Sequence, residues 1–327
     1  MAARKKSSGT KSTRETFVIH HTPILPGETH TLFVPIARLA SGTAIDIPVV
    51  VSRAVEPGPV VLLMGGLHGD ELNGVEIMRR VLRSGYHIPL RGATISIPLV
   101  NVFGFINFSR EPVFSKDVNR SFPGTSKGSL ASRLAFYIHQ HILPLVDVGV
   151  DLHTGGESRY NFPQVRAVLK DPVNKALAEA FSAPFTIDAP LRAGSLRHAA
   201  AKMGKHIIVY EGGETLRFDQ HAIAEGVEGV QRFLQHFGML REEATPQRKT
   251  RHDISKMSWV RAKNAGLFQP FIEPGEWVRK GQQLGIISDT LGKEREMMLS
   301  PKEGYVIGVN YRPVVNLGDA LVHLGSD

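Results

Sequence analysis

The strongest constraint on the fold is a run of apolar residues, Val60-Val61-Leu62-Leu63-Met64, that stops at Gly65-Gly66 and opens into Leu67-His68-Gly69-Asp70-Glu71. A continuous apolar run this short, bounded by glycines and headed by two β-branched residues, predicts a strand covered on both faces. Behind the loop, Leu72, Val75, Ile77, Met78, Val81 and Leu82 recur with helical spacing over 71–82. A doubly covered strand leading into a helix is the repeating unit of a parallel sheet. The unit returns along the chain: strands are predicted over 93–100, 146–152, 164–169 and 206–210, and helices over 129–143, 172–183, 195–204 and 220–236. Ser129 is placed to cap its helix. The expected fold class is therefore α/β, a mostly parallel mixed sheet flanked by helices. Residues 30–53 alternate apolar and polar around Gly42, as in an antiparallel hairpin.

The texture changes twice. Residues 1–16 read as a flexible basic tail: Arg4, Lys5, Lys6, Lys11 and Arg14 stand there with no acid before position 15, so five of the eight net positive charges are local. The small remainder requires no polyanionic partner, and no nucleic-acid reader motif is present. Residues 17–240 carry the α/β pattern, 241–256 are charged and poor in apolar residues like a linker, and 257–327 hold short strands punctuated by glycine and proline. The last segment predicts a small all-β barrel or sandwich. With 42% hydrophobic and 21% charged residues the chain can bury a core. No membrane span or signal peptide is expected, because no long apolar run exists and none follows the basic N-terminus. The absence of cysteine leaves His and carboxylate as metal ligands and agrees with a cytoplasmic location.

Four segments carry candidate chemistry, each at the carboxyl end of an expected strand, where open α/β sheets bind ligands. His68 and Glu71, three residues apart, share a face if they lie on the first helical turn. His153 in Asp151-Leu152-His153-Thr154-Gly155-Gly156 supplies a second imidazole, so that His68, Glu71 and His153 compose a three-ligand zinc site with a position left for water. Among fourteen histidines most are surface or satisfied core residues, but these two stand beside glycines at ligand-binding edges. Asp151 shares the strand face of His153, either as a partner of its imidazole or as an ordinary buried aspartate. The long segment from Asn101 to Gly128 contains Arg110 and Asp117-Val118-Asn119-Arg120, and its length favours a functional loop. Amide hydrolysis also needs a base; Val209-Tyr210-Glu211-Gly212-Gly213-Glu214 offers Glu211, with Glu214 as the alternative.

Taken together, the His-x-x-Glu after Gly-Gly, the Asn-Arg pair followed by Phe122-Pro123-Gly124, the second strand-end His and the later Glu-x-Gly resemble the succinylglutamate desuccinylase/aspartoacylase family, which is related to zinc carboxypeptidases. The resemblance spans most of residues 45–325. It implies that 17–240 is a zinc-dependent hydrolase domain holding one Zn2+ per chain at His68, Glu71 and His153. By the same resemblance Glu211 is the catalytic base, Arg110 polarises the scissile carbonyl, and Asn119 and Arg120 bind the substrate carboxylate. The implied activity is deacylation of an N-acylated amino acid, a small-molecule partner, with a homo-oligomer left open. A zinc carboxypeptidase or amidase acting on peptides or cell-wall fragments uses the same groups. A non-catalytic binding or carrier protein is the reading from another class, since the glycine pattern of 257–327 also resembles biotinyl and lipoyl carriers, with Lys293 near the position of a modified lysine.

Overall fold

The computed structural model describes residues 17–112, 116–241, 251–293 and 295–327. The basic tail over 1–16 and the portion 242–250 of the linker segment lie outside the described residues. Two short strands, β1 (Val18–Ile19) and β2 (Thr22–Pro23), precede the hairpin of β3 (Thr29–Arg38) and β4 (Ala44–Arg53). The hairpin turns at Gly42, whose φ of 85° a side chain would resist. Then follow β5 (Glu56–Gly65), α1 (Leu72–Arg83), β6 (Arg91–Ile97), α2 (Val102–Ile106), α3 (Leu130–Tyr137), β7 (Val148–Gly155), β8 (Arg159–Ala167), α4 (Pro172–Phe181), β9 (Phe185–Asp188), α5 (Leu196–Lys202), β10 (His206–Glu214) and α6 (Gln220–His236).

At the centre of the sheet β6, β5, β7 and β10 run parallel. Successive residues of β5 feed opposite cores. Val60, Leu62 and Met64 pack with Leu134 of α3 and Leu196 of α5, whereas Val61 and Leu63 pack with Ile77 of α1, Phe181 of α4 and Phe233 of α6. Helices thus cover both faces, which is why the strand sequence has no polar alternation. The margins are antiparallel: β4 and β3 continue beyond β6, and β8 lies beyond β10. Only three residues separate β7 from β8, too few for a crossover, so β8 returns antiparallel. The helix expected over 129–143 ends at Tyr137 and continues as one wide turn over 138–142 and a tight one over 143–145. Pro144 has no N–H for the regular ladder, and the backbone rewinds around it.

Beyond α6, β11 (His252–Ile254) pairs in parallel with β9, so part of the segment read as a linker joins the sheet. The remaining strands are β12 (Lys256–Arg261), β13 (Gly266–Pro270), β14 (Trp277–Val278), β15 (Gln283–Ser288), β16 (Arg295–Leu299), β17 (Gly304–Asn310), β18 (Val314–Val315) and β19 (Ala320–Ser326). They make two layers. β17, β19 and β12 extend the central sheet, because β17 pairs with β8, and a four-stranded sheet in the order β16-β15-β13-β18 packs over them. Phe268, Leu284, Ile287 and Met298 from the second layer meet Val306, Val322 and Leu324 from the first in one core. The fold is accordingly mixed α/β with a C-terminal antiparallel portion. Among the described residues no helix is long and apolar enough to cross a membrane.

Candidate functional site

His68 and Glu71 meet across a turn, not along a helical face. His68 lies in the loop after β5, and Glu71 is the residue before α1 with non-helical φ and ψ of −89° and 71°. Gly69 makes the turn possible by backbone contact with α2: a Cβ there would stand 2.1 Å from the carbonyl carbon of Gly104. The Gly69 N–H donates to the Arg110 carbonyl at 3.3 Å, and Asn101 Nδ2 donates to the same carbonyl at 3.1 Å, which ties the long loop to this turn. β7, the next strand over from β5, delivers His153 at the level of Glu71.

Glu71 is the hub. Its Oε1 lies 2.7 Å from His68 Nδ1 and its Oε2 lies 2.6 Å from His153 Nδ1. The opposite edge of each imidazole rests on an aspartate: His68 Nε2 is 3.1 Å from Asp117 Oδ1, and His153 Nε2 is 2.7 Å from Asp151 Oδ2. Arg110 bridges the two sides, donating to Glu71 Oε1 and to Asp117 Oδ2, each at 3.0 Å. Burial alone would raise the Glu71 pKa, but the two imidazoles outweigh it and hold the carboxyl well below its ordinary value. Burial likewise opposes charge on His153, yet Asp151 and Glu71 raise it well above its ordinary value; His68 rises too, against burial, through Glu71 and Asp117. Three carboxylates wrapped around two buried imidazoles form a pocket electrostatically matched to a cation. The ligating atoms of His68, Glu71 and His153 lie within 4.8 Å of one another, so one ion can meet all three. Both Nδ1 atoms face the centre while carboxylates orient the rings from behind, which is how metal-binding histidines are held.

This cluster forms one end of a cavity of about 670 Å³. Arg110, Asn119, Arg120 and Glu211 all line it, so the structure brings every site residue expected from sequence to a single cavity. Glu211 lies beside His153 in the β10–β7 register. Glu214 does not reach this cavity; it lines a separate one beside Tyr160 and Tyr311 and pairs with Arg217 at 3.0 Å. The Asn119 Oδ1 is already engaged by the Leu196 N–H at the start of α5, at 2.9 Å. Arg120 is exposed, and its Nη1 donates to the Asn119 carbonyl. Lys293 is exposed in the turn between β15 and β16.

Sequence reasoning missed Asp117, Asn161, Arg166, Arg197, Trp259 and His323, all of which line the cavity. Asp117 alone had a legible signal, being a carboxylate two residues before the Asn-Arg pair. Arg197 is half-buried, and burial together with the neighbouring Arg166 lowers its pKa to about 10. Trp259 and His323 come from β12 and β19 and stack with ring centroids 4.3 Å apart and planes 4° apart. The C-terminal strands therefore contribute to the cavity wall.

Burial, reinforced by Arg166 and Lys302, lowers the His323 pKa from 6.5 to about 3. The folded protein keeps this ring neutral while the unfolded chain binds a proton below about pH 6.5, so its stability is intact above that pH and is lost as pH falls toward 3. The loss approaches roughly 4–5 kcal/mol at the acid end. Thermal unfolding between pH 7 and 4 is expected to show a shallower acid decline in His323→Asn than in the parent; equal slopes would remove His323 as a source of acid sensitivity.

The chain is similar to known proteins over most of its length. Residues 57–237 match the model of the succinylglutamate desuccinylase/aspartoacylase catalytic domain. The chain is 29% identical over 293 residues to the N-alpha-acetyl-L-2,4-diaminobutyric acid deacetylase of Halomonas elongata, covering 85% of each chain. The product-bound ectoine utilization protein of Ruegeria pomeroyi superimposes with a TM-score of 0.82 at 25% identity, over 94% of this chain and 98% of that one. A succinylglutamate desuccinylase/aspartoacylase from Rhodobacter sphaeroides gives 0.79 at 28% identity, over 91% and 95%. With more than half of its length matched by the family model, this chain belongs to the succinylglutamate desuccinylase/aspartoacylase family.

Proposed function

We propose that the chain is a zinc-dependent hydrolase that removes the acyl group from an N-acylated amino acid. The observation that carries this reading is the convergence of His68, Glu71 and His153 with Arg110 and Glu211 on one cavity. The two imidazoles and one carboxylate are a donor set suited to Zn2+, and they leave a coordination position open. Bound there, the metal would polarise the scissile carbonyl and bring the pKa of water toward neutrality.

The chain's own groups supply the rest. Glu211 takes the proton of the attacking water and returns it to the leaving amine, the two transfers that amide hydrolysis requires. Arg110, a third exposed and next to Glu71, offers N–H donors to the oxyanion that develops on the carbonyl oxygen. Arg120 and the Nδ2 donor of Asn119 receive the substrate carboxylate, and the fork of the guanidinium fits its two oxygens. Trp259 and His323, stacked on each other, form part of the cavity wall. A cavity of about 670 Å³ suits a small amide.

The Halomonas relative directs the first substrate to try. Purified protein is expected to hydrolyse members of a panel of N-acetyl, N-succinyl and longer N-acyl amino acids, Nα-acetyl-L-2,4-diaminobutyrate among them. Activity should vanish with a chelator and return with added Zn2+. Chelator-resistant turnover, or binding of the panel without turnover, would overturn the reading.

A further inference from the structure

Among the described residues, Glu211 is held through one of its two oxygens. Its Oε2 receives Asn161 Nδ2 at 2.5 Å and Arg166 Nη2 at 3.0 Å, while Oε1 takes part in neither contact. Both donors stand on β8, and their arrival on the same face is not what a regular strand would give. On the β10–β8 ladder Glu211 pairs with Gln164, but Gly213 pairs with Asn161, with a register slip between them. An unbroken ladder would set Gly213 against Phe162 and turn Asn161 to the opposite face, away from Glu211. The one-residue bulge re-aims Asn161 at the carboxylate.

On its other side β8 pairs with β17, and Gly308 stands opposite Asn161. A Cβ on Gly308 would lie 2.9 Å from the Tyr160 carbonyl oxygen and 3.0 Å from Asn161 Oδ1. Its backbone is not in the left-handed region, so glycine is required here for room, not for conformation. The C-terminal strands thus press directly against the backbone that carries Asn161.

We propose that Asn161 is a positioning residue for Glu211, locked in place by Gly308, so that the C-terminal β portion contributes to catalysis through β8 as well as by walling the cavity. The inference rests on the reading of Glu211 as the base. It assigns different duties to the two carboxylate oxygens. Oε2, fixed by Asn161 and Arg166, sets the position and stops the group from rotating; Oε1 receives the proton. A base displaced by about 1 Å can cost on the order of 100-fold in rate, so the fixed oxygen matters as much as the free one.

The test uses the full-length, zinc-loaded protein with Nα-acetyl-L-2,4-diaminobutyrate and N-succinyl-L-glutamate, the faster of the two serving as probe. Asn161→Ala is expected to lower kcat by about 10- to 100-fold with KM, zinc content and melting temperature near the parent's. Asn161→Asp, which keeps the shape but replaces the donor with a second carboxylate, should lose at least as much. Gly308→Ala should lower kcat several-fold in the same manner. In a Glu211→Gln background Asn161→Ala should add nothing, the non-additivity of two residues acting through one group. Parent-level kcat in both Asn161 variants, or losses that multiply in the Glu211→Gln background, would overturn the positioning role. Undiminished turnover in Glu211→Gln alone would instead overturn the base assignment, so the two failures are distinguishable.

Discussion

Replacing His153 with Ala is expected to cut bound zinc from about one per chain to below a tenth of that after dialysis, and hydrolysis should fall in proportion. A site with three protein ligands has none to spare, since loss of one leaves two donors and open solvent positions. The surroundings make His153 harder to replace than a surface ligand. Its Nε2 rests on Asp151 and its Nδ1 on Glu71, so truncation leaves two buried carboxylates facing a void. Asp151→Asn retains the ligand and weakens only what orients it, for which a loss of about 10- to 100-fold in metal affinity is expected. Elemental analysis of parent, His153→Ala and Asp151→Asn should therefore fall in that order. A parent free of zinc after growth with zinc would favour the binding-protein alternative, and a His153→Ala variant holding parent-level zinc would place the metal elsewhere.

The parts of this site that were legible from sequence are those fixed by short-range rules. The double burial of Val60 to Met64 announced a parallel strand, and a parallel strand announces a ligand edge at its carboxyl end, so His68 and His153 followed from position, whereas the choice of Glu211 leaned on the family resemblance. The local geometry was less legible. His68 and Glu71 were expected to share a helical face, but α1 begins only at Leu72, and the pair is made by a turn that depends on contact between Gly69 and Gly104. Nothing in the residues around Gly69 announces a partner thirty-five positions away. The same limit hid Asn161, Arg166, Trp259 and His323. Their places are set by the bulged β8–β10 register and by β17 pairing with β8, both of which join segments distant in sequence. The segment over 257–327 was legible as a β unit because its turns are local, whereas its continuity with the central sheet was not, because strand edges carry no written address. Glu214 stood as the alternative to Glu211, and the bulge beyond Glu211 separates the two into different cavities.

Glu211→Gln is expected to lower kcat by about 100- to 10,000-fold, the usual contribution of a positioned base, which corresponds to roughly 2.7–5.4 kcal/mol of barrier. The substitution is close to isosteric, and the amide oxygen can still accept from Asn161 and Arg166, so the fold, the zinc content and KM should change little. What disappears is the ability to bind a proton, and a loss confined to kcat is the mark of a group that works only in the transition state. Glu214→Gln supplies the contrast. That carboxylate pairs with Arg217 in a cavity lined by Tyr160 and Tyr311, and its turnover should stay within about twofold of the parent. The reverse pattern, with Glu211→Gln active and Glu214→Gln dead, would require the substrate to sit in the second cavity, out of reach of His68, Glu71 and His153. Because both glutamates ride on β10, three residues apart, general damage to the strand would lower both variants together. A loss in one and not the other therefore reports proton transfer rather than folding, and steady-state kinetics on the two purified proteins is sufficient to read it.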